Sequence, residues 1–400
     1  MTNYKMLDGN AAAAEAIKAA RVKVIAAYPI TPQSPISEKL ADMTADKELD
    51  AKYIRVESEH SALSVVMGAQ LTGVRTATAT SSVGLALMHE VVNVVAGLRC
   101  PIVMGVVNRS LAAPWSLWCD HTDSMAERDS GWLQLYCENV QDAYDLMLCA
   151  YRIAEDRRVQ TPAMVCQDGF FLSHSMQKVA VIGQSEIDDF IGEYTHKNAI
   201  LDPTDPLVAC NLTPSSDYTE MRYQQKLGFD AAPDVAREVF REFKSRFGRG
   251  RDLIEGYMLD DAELVFVSLG SMSGTAKFVV NQLRERGVKA GALKVVLYRP
   301  FPAVEVAEAL AGIDRIAVMD RIGALGSVGG PLYQDVAASL QGRKKILKNY
   351  VAGLAGRDIS PDTISAVFAD LMDSDSASAS QIWIDLKDNP TKVREVECYV

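Results

Sequence analysis

The 400-residue sequence contains no C-x-x-C pair. Its seven cysteines (Cys100, Cys119, Cys137, Cys149, Cys166, Cys210 and Cys398) are scattered. That spacing excludes an iron–sulfur cluster or a zinc ribbon built by this chain alone. An odd number of thiols, with no charged-then-apolar pattern in MTNYKMLDGN, predicts reduced cysteines and a cytoplasmic protein. No apolar run approaches the roughly 20 residues that span a bilayer. No G-x-G-x-x-G follows a strand-like segment, which argues against a nicotinamide dehydrogenase. Positive charge is also in deficit: 41 Lys and Arg face 52 Asp and Glu, a net charge of −11. Such a surface repels phosphate backbones and anionic membranes, so neither nucleic acid nor membrane is expected as a partner.

What is present is an alternation of helix and strand patterns. Apolar residues make up 48% of the chain, enough for substantial cores, and 400 residues suggest two domains. Asp8 or Asn10 can cap the helix-prone run AAAAEAIKAA. VKVIAAY (22–28) reads as a short strand ending at Pro29, and Ser34-Pro35 as an N-cap with proline at the first helical position. Helices are expected near 61–73, 82–98 and 141–157, and strands at RTATAT, PIVMGVVN and PAMVCQD. Residues 185–255 are charged, carry four prolines and include a helical run over 233–247, so they read as a connecting segment. A second alternation runs from AELVFVSLG through VKAGALKVVLY, RIAVMD and ILKNYV. The predicted fold class is α/β: a doubly wound parallel-sheet domain over 1–250 and a smaller α/β domain over 251–400.

Open parallel sheets bind ligands beyond the carboxyl ends of their strands. That rule selects Tyr28–Pro32, Ser81-Ser82, Asn108-Arg109 and Asp168-Gly169. Glu57-Ser58-Glu59-His60 opens a helix, where acidic residues serve either as caps or as chemistry. Arg109 directly follows an apolar strand and can clamp a carboxylate or form a structural ion pair. The loop 110–125 is long for a compact domain and holds Trp115, Leu117, Trp118 and Asp120-His121-x-Asp123. The last three could bind a metal, but helix capping explains the acids equally well. Gly270-Ser-Met-Ser-Gly274 follows a strand and can bind an anion or simply form a tight turn.

The segments YPITPQSPISEKL, VESEHSAL, TATSSVGLALMHE, NRSLAAP, LWCDHTDSMAERDSGWLQ, YRPFP and AGLAGRD, in that order, resemble the alpha subunit of pyruvate:ferredoxin oxidoreductases. The resemblance implies a pyrimidine-binding-type thiamine diphosphate domain followed by a transketolase C-terminal-like domain. It implies partner subunits: a beta-type chain binding Mg²⁺ and the diphosphate, a gamma-type chain, and a ferredoxin-like chain, with [4Fe–4S] clusters on the partners. The Gly-Asp-Gly motif that holds Mg²⁺ in such enzymes is missing here. The implied reaction is oxidative decarboxylation of a 2-oxoacid, with coenzyme A taking the acyl group. Carried over by position, Glu59 matches the glutamate that bonds the cofactor's aminopyrimidine and favours its imino tautomer. Arg109 matches the arginine that holds the substrate carboxylate, Thr31 a threonine that donates to the substrate's carboxylate or oxo group, and Tyr28 and Pro29 shape that wall.

The loop SLAAPWSLWC offers no second cation for a dicarboxylate, so a small or apolar 2-oxoacid, pyruvate first, is expected. Thr31, Arg109, Trp115 and Leu117 are the expected pocket residues, and Trp115 leaves an aromatic acid such as phenylglyoxylate open. The acceptor is ferredoxin or NAD. Two competing readings are a split transketolase-like subunit, for which five histidines are few, and a non-catalytic scaffold.

Overall fold

The computed structural model of the chain describes residues 3–194 and 201–387. Cys398 and the end of the expected second domain lie outside the described residues. The strands in chain order are β1 (Asn3–Leu7), β2 (Val24–Ala27), β3 (Lys52–Arg55), β4 (Thr76–Thr80), β5 (Val103–Asn108), β6 (Leu133–Tyr136), β7 (Ala163–Asp168) and β8 (Gln177–Val181). They continue as β9 (Ile254–Tyr257), β10 (Leu264–Ser268), β11 (Ala290–Val295), β12 (Leu297–Arg299), β13 (Arg315–Asp320), β14 (Ile346–Val351) and β15 (Ser378–Trp383).

Seven strands form one sheet in the order β12-β6-β7-β5-β4-β2-β3, parallel except for β12. Six form a second, β15-β14-β13-β10-β11-β9, parallel except for β9. β1 and β8 make a separate antiparallel ribbon. Helices cover both faces of the parallel strands, and β5 and β7 are accordingly buried along their whole length. The helix Gly9–Ala19 is alanine-rich, which lets its backbone lie close to the helix Val140–Ala154 in one core cluster. A second cluster runs without a break from Met104 and Met164 of the first sheet to Val265, Val267 and Leu293 of the second. The two sheets therefore share apolar core as well as a chain.

Most expected elements form, with instructive departures. Asp8 rather than Asn10 caps the first helix, accepting from Ala11 N at 2.7 Å; Asn10 lies inside the helix and donates to Pro32 O at 3.0 Å. Ser34 is not a cap. The turn that brings Gln33 N to Ile30 O (2.8 Å) already bends Gln33 into helical conformation, so Gln33 takes the cap position. The helix expected over 82–98 is two, Ser82–Leu87 and His89–Gly97, meeting where Met88 N is shared between Gly84 O and Leu85 O. The connecting segment holds a helix far longer than 233–247, spanning Ser215–Phe247 through Pro233. A proline there removes one donor, and burial of Val235, Val239, Phe240 and Phe243 offsets the loss. VKAGALKVVLY is not one strand. It passes from the second sheet (β11) to the first (β12), where Leu297 pairs with Leu135.

Candidate active site

Chain direction reverses its march across the first sheet between β2 and β4, because β3 lies to one side of β2 and β4, β5 and β7 lie to the other. At such a switch point open parallel sheets offer a ligand crevice, at the carboxyl ends of the strands. The helix Glu59–Leu71 starts there. Its capping is done by Ser58, an extended residue that accepts from Ser61 N at 3.2 Å, while Glu57 bonds the Ser61 hydroxyl. Glu59 is thus free of the capping role. Its side chain is buried, 7% exposed, and makes no hydrogen bond or ion pair among the described residues.

The carboxylate lies over Gly84. A Cβ on that glycine would come within 2.6 Å of Glu59 Oε1 and 2.7 Å of Thr80 Oγ1, so any larger residue would fill the space. The Thr80 hydroxyl beside it is buried, as are those of Thr78 on the same strand and of Ser81 at its end, and none of the three has a partner among the described residues. A buried carboxylate and buried hydroxyls without partners are costly, by about 1–3 kcal/mol for a neutral group and more for a charge. Such a cluster suits a polar ligand that supplies the missing bonds.

Arg109, directly after β5, is 4% exposed. Its Nη1 donates to Thr31 O (2.9 Å) and its Nε to Ser116 O (3.0 Å), while Nη2 has no partner among the described residues. Burial lowers its proton affinity and the nearby Asp123 carboxylate opposes that; a guanidinium stays charged in either case. Arg109 and Thr31 are therefore brought together. Tyr28, Pro29 and Thr31 line an exposed edge of the crevice. Trp115 is 76% and Leu117 40% exposed, so within this chain neither is enclosed.

The acidic loop residues turn to three different partners. Asp120 accepts from Thr122 N (2.9 Å), His121 bonds Asp168 through Nε2 (2.7 Å), and Asp123 accepts three donors from the strand ends and a fourth from Ser124 N. Among the described residues no group of three or more His, Cys, Asp or Glu side chains is placed to hold a metal ion. Asp168, selected by position at the end of β7, is fully engaged: it receives Arg321 Nη1 (3.0 Å), Ser271 N (3.1 Å), the Ser271 hydroxyl and His121. Although burial opposes ionisation, His121 and Arg321 hold this carboxyl well below the usual range. The loop at Gly270 does bind an anion, but that anion is Asp168. Its glycine has φ +67°, a left-handed conformation that puts Ser271 N toward the carboxylate.

Residues 15–241 match the family described as "Pyruvate flavodoxin/ferredoxin oxidoreductase, thiamine diP-bdg", and residues 262–364 match "Pyruvate:ferredoxin oxidoreductase core domain II". The chain belongs to this oxidoreductase family. It is similar to pyruvate synthase subunit PorA of Methanothermobacter thermautotrophicus, 45% identical over 384 residues, which covers 96% of this chain and 98% of that one. It is also similar to ketoisovalerate oxidoreductase subunit VorA of Pyrococcus abyssi, 44% identical over 370 residues, covering 92% and 93%. Among solved structures, a 2-oxoglutarate:ferredoxin oxidoreductase from Magnetococcus marinus superposes with a TM-score of 0.74 at 18% identity. That match covers 93% of this chain and 66% of the other. A split-gene transketolase superposes with a TM-score of 0.51 at 12% identity, covering 92% and 99%. These two similarities concern the fold.

As a member of the pyruvate:ferredoxin oxidoreductase family, the chain is an alpha-type subunit of a 2-oxoacid:ferredoxin oxidoreductase. The expected resemblance and the expected α/β fold both hold. The first matched domain is of the thiamine diphosphate-binding kind. Glu59, without a partner among the described residues, the glycine beneath it and the unpaired Thr80 hydroxyl leave polar groups open to a bound cofactor. Nothing in the sequence singled out Thr80 or Gly84 as site residues, and Asp123 was legible there only as a metal ligand or a helix cap. The signal was present in TATSSVG, where threonines recur every second residue of a fully buried strand.

Proposed function

We propose that this subunit supplies the pyrimidine side of a shared active site in a CoA-dependent pyruvate:ferredoxin oxidoreductase. The observation that carries the reading is Glu59, a buried carboxylate with no partner among the described residues, set over Gly84 beside the unpaired Thr80 hydroxyl. Thiamine diphosphate, when bound, supplies the electron sink for decarboxylation. Glu59 holds a proton at the aminopyrimidine ring and sets its tautomer. Tyr28 and Pro29 form the adjoining wall. Nη2 of Arg109, without a partner among the described residues, points to a role in binding the substrate carboxylate, together with Thr31, whose backbone oxygen Nη1 holds. The Nη1 and Nε bonds hold the guanidinium in one orientation, so little side-chain freedom is lost on binding.

The chain lacks Gly-Asp-Gly and clustered cysteines. Mg²⁺ with the diphosphate therefore belongs to a beta-type partner, and [4Fe–4S] clusters to that chain and a ferredoxin-like one, with a gamma-type subunit completing the assembly. The exposed crevice edge at Tyr28–Thr31, together with Val83 (41% exposed) and Leu87 (52% exposed), is the face on which the beta-type partner docks. Coenzyme A is the acyl acceptor and the cytoplasm the setting. No described helix is long and apolar enough to cross a membrane.

Pyruvate is the favoured substrate because relatives named for it align over nearly their full length and the loop at 111–118 carries no cation for a second carboxylate. The VorA similarity makes a branched 2-oxoacid the second reading. The anaerobically purified complex, assayed with viologen dye, coenzyme A and a panel of 2-oxoacids, tests this. Pyruvate should give the highest kcat/KM; a clear preference for 2-oxoisovalerate or phenylglyoxylate would transfer the assignment to that acid. A homo-oligomer lacking thiamine and iron would support the scaffold reading instead.

A further inference from the structure

We propose that Asp123 is a positioning residue that sets both halves of the site at once, the hydroxyl cluster beside Glu59 and the Arg109 carboxylate anchor. The inference rests on the roles given above to Glu59 and Arg109. Asp123 is 1% exposed and touches neither side chain's polar end. Its Oδ2 accepts from Ser82 N (2.9 Å), just past β4, and from Arg109 N (3.0 Å), just past β5. Its Oδ1 accepts from Asn108 Nδ2 (2.8 Å) and Ser124 N (2.8 Å). One carboxylate oxygen thus ties together the carboxyl ends of two adjacent strands, each at the residue that begins a functional segment.

The conformation of Ser82 shows why the tie is needed. Its φ is +49°, in the left-handed region that a serine adopts at a cost of about 1 kcal/mol or more. Only a surrounding that over-determines the backbone keeps such a residue there. Asp123 on Ser82 N and the bond from Ser82 Oγ to Ser110 O (2.5 Å) do so. The turn at Ser82 directs the chain from Thr80 and Ser81 into the short helix carrying Gly84, the surface under Glu59. On the other branch, Arg109 N fixes the base of a side chain whose tip reaches Thr31 O. Four N–H donors converge on two oxygens, and the net negative charge strengthens all four bonds. An asparagine would keep the shape but has one acceptor oxygen, and would turn an NH₂ group toward two of the donors.

The test uses the complete multi-subunit complex carrying Asp123→Asn, with pyruvate, thiamine diphosphate and Mg²⁺ as probes. Cofactor binding is read in the apo-complex by quenching of intrinsic fluorescence, independently of turnover. The expected result is a KM for pyruvate and a Kd for thiamine diphosphate each raised about tenfold or more, the scale of a lost charge-assisted hydrogen bond. A second variant adds Ser82→Gly, since glycine adopts the left-handed conformation without strain. The double variant should recover cofactor affinity and, if Asp123→Asn alone does not assemble, assembly, while KM for pyruvate stays raised through the Arg109 branch. If Asp123→Asn lowers only the melting temperature and leaves KM and Kd as in the wild type, Asp123 is merely structural and the inference is wrong. It is equally wrong if the double variant moves both constants together. Absence of any 2-oxoacid-dependent activity in the wild-type complex would instead defeat the functional reading itself.

Discussion

The crevice and the domain junction both bury charge, and they treat it in opposite ways. In the crevice Glu59 is buried with no partner among the described residues, and the Thr80 hydroxyl beside it is unpaired there too. At the junction Asp168 and Lys294 are both matched. Asp168 takes Arg321, His121 and Ser271. Lys294, 1% exposed, sits among Glu138 (2.8 Å), Glu255 and Asp142 (3.8 Å). Isolated buried charges are expensive, and paired ones roughly neutral. The paired set is therefore explained by folding alone, and the unpaired set needs a ligand. Burial by itself does not separate function from structure; burial without a partner does.

The sharpest way to break this contrast is Glu59→Gln. Because Glu59 has no protein partner to lose, the melting temperature of the complex should hardly change while kcat falls about 10²–10⁴-fold, the range of a lost proton-transfer group. A large loss of stability with little loss of rate would place Glu59 with the structural charges. Asp168→Asn should do the reverse. It leaves Arg321 buried without its counter-charge, at a cost of about 3–5 kcal/mol, visible as a lower denaturant midpoint in the assembled complex. A variant as stable as the wild type would mean that the junction network is not what it looks like. Arg109→Lys comes next. Lysine keeps the charge but not the fork that reaches Thr31 and Ser116 together, so KM for the 2-oxoacid should rise about tenfold with a smaller change in kcat.

The smallest expected effect is in pH dependence. The Asp320 carboxyl, buried and in no ion pair among the described residues, is raised from its ordinary 3.8 to about 7, chiefly by burial. A folded value above the unfolded one means that the folded state holds the extra proton. The contribution is full below about pH 4 and is lost as pH rises through 7. Asp168, held low, contributes stability above about pH 4 and loses it only in strong acid. Melting temperature should therefore decline gently from pH 4 to pH 7, and Asp320→Asn should flatten the slope. An unchanged slope would point to Asp123 or Asp145, each raised to about 6 by burial.

Much of this was legible in the sequence, because helix and strand patterns are local. RIAVMD and ILKNYV are strands over the expected residues. The family motifs also carried Glu59, Thr31 and Arg109 to adjoining loops of one crevice. What escaped depends on distant pairing. Nothing in VKAGALKVVLY marks the point at Val296 where the chain leaves one sheet for the other, since the apolar run continues and the reason lies at Leu135. Pro233 looked like a helix boundary because the contacts that carry the helix across it come from other segments. Asp123 and Asp168 could not be told apart by type. One holds strand ends and the other holds two domains, and only the partner lists differ.

The passage of three residues, Leu297–Arg299, into the neighbouring sheet has a consequence for how the chain can be cut. A fragment ending at residue 250 would contain nearly all of the first sheet yet leave β6 as an open rim, with backbone groups of Leu133–Tyr136 that β12 normally satisfies. Such a rim recruits strands from other molecules. The two halves are thus interlocked rather than modular. A gene divided at the apparent boundary would yield pieces that must be made together or else aggregate.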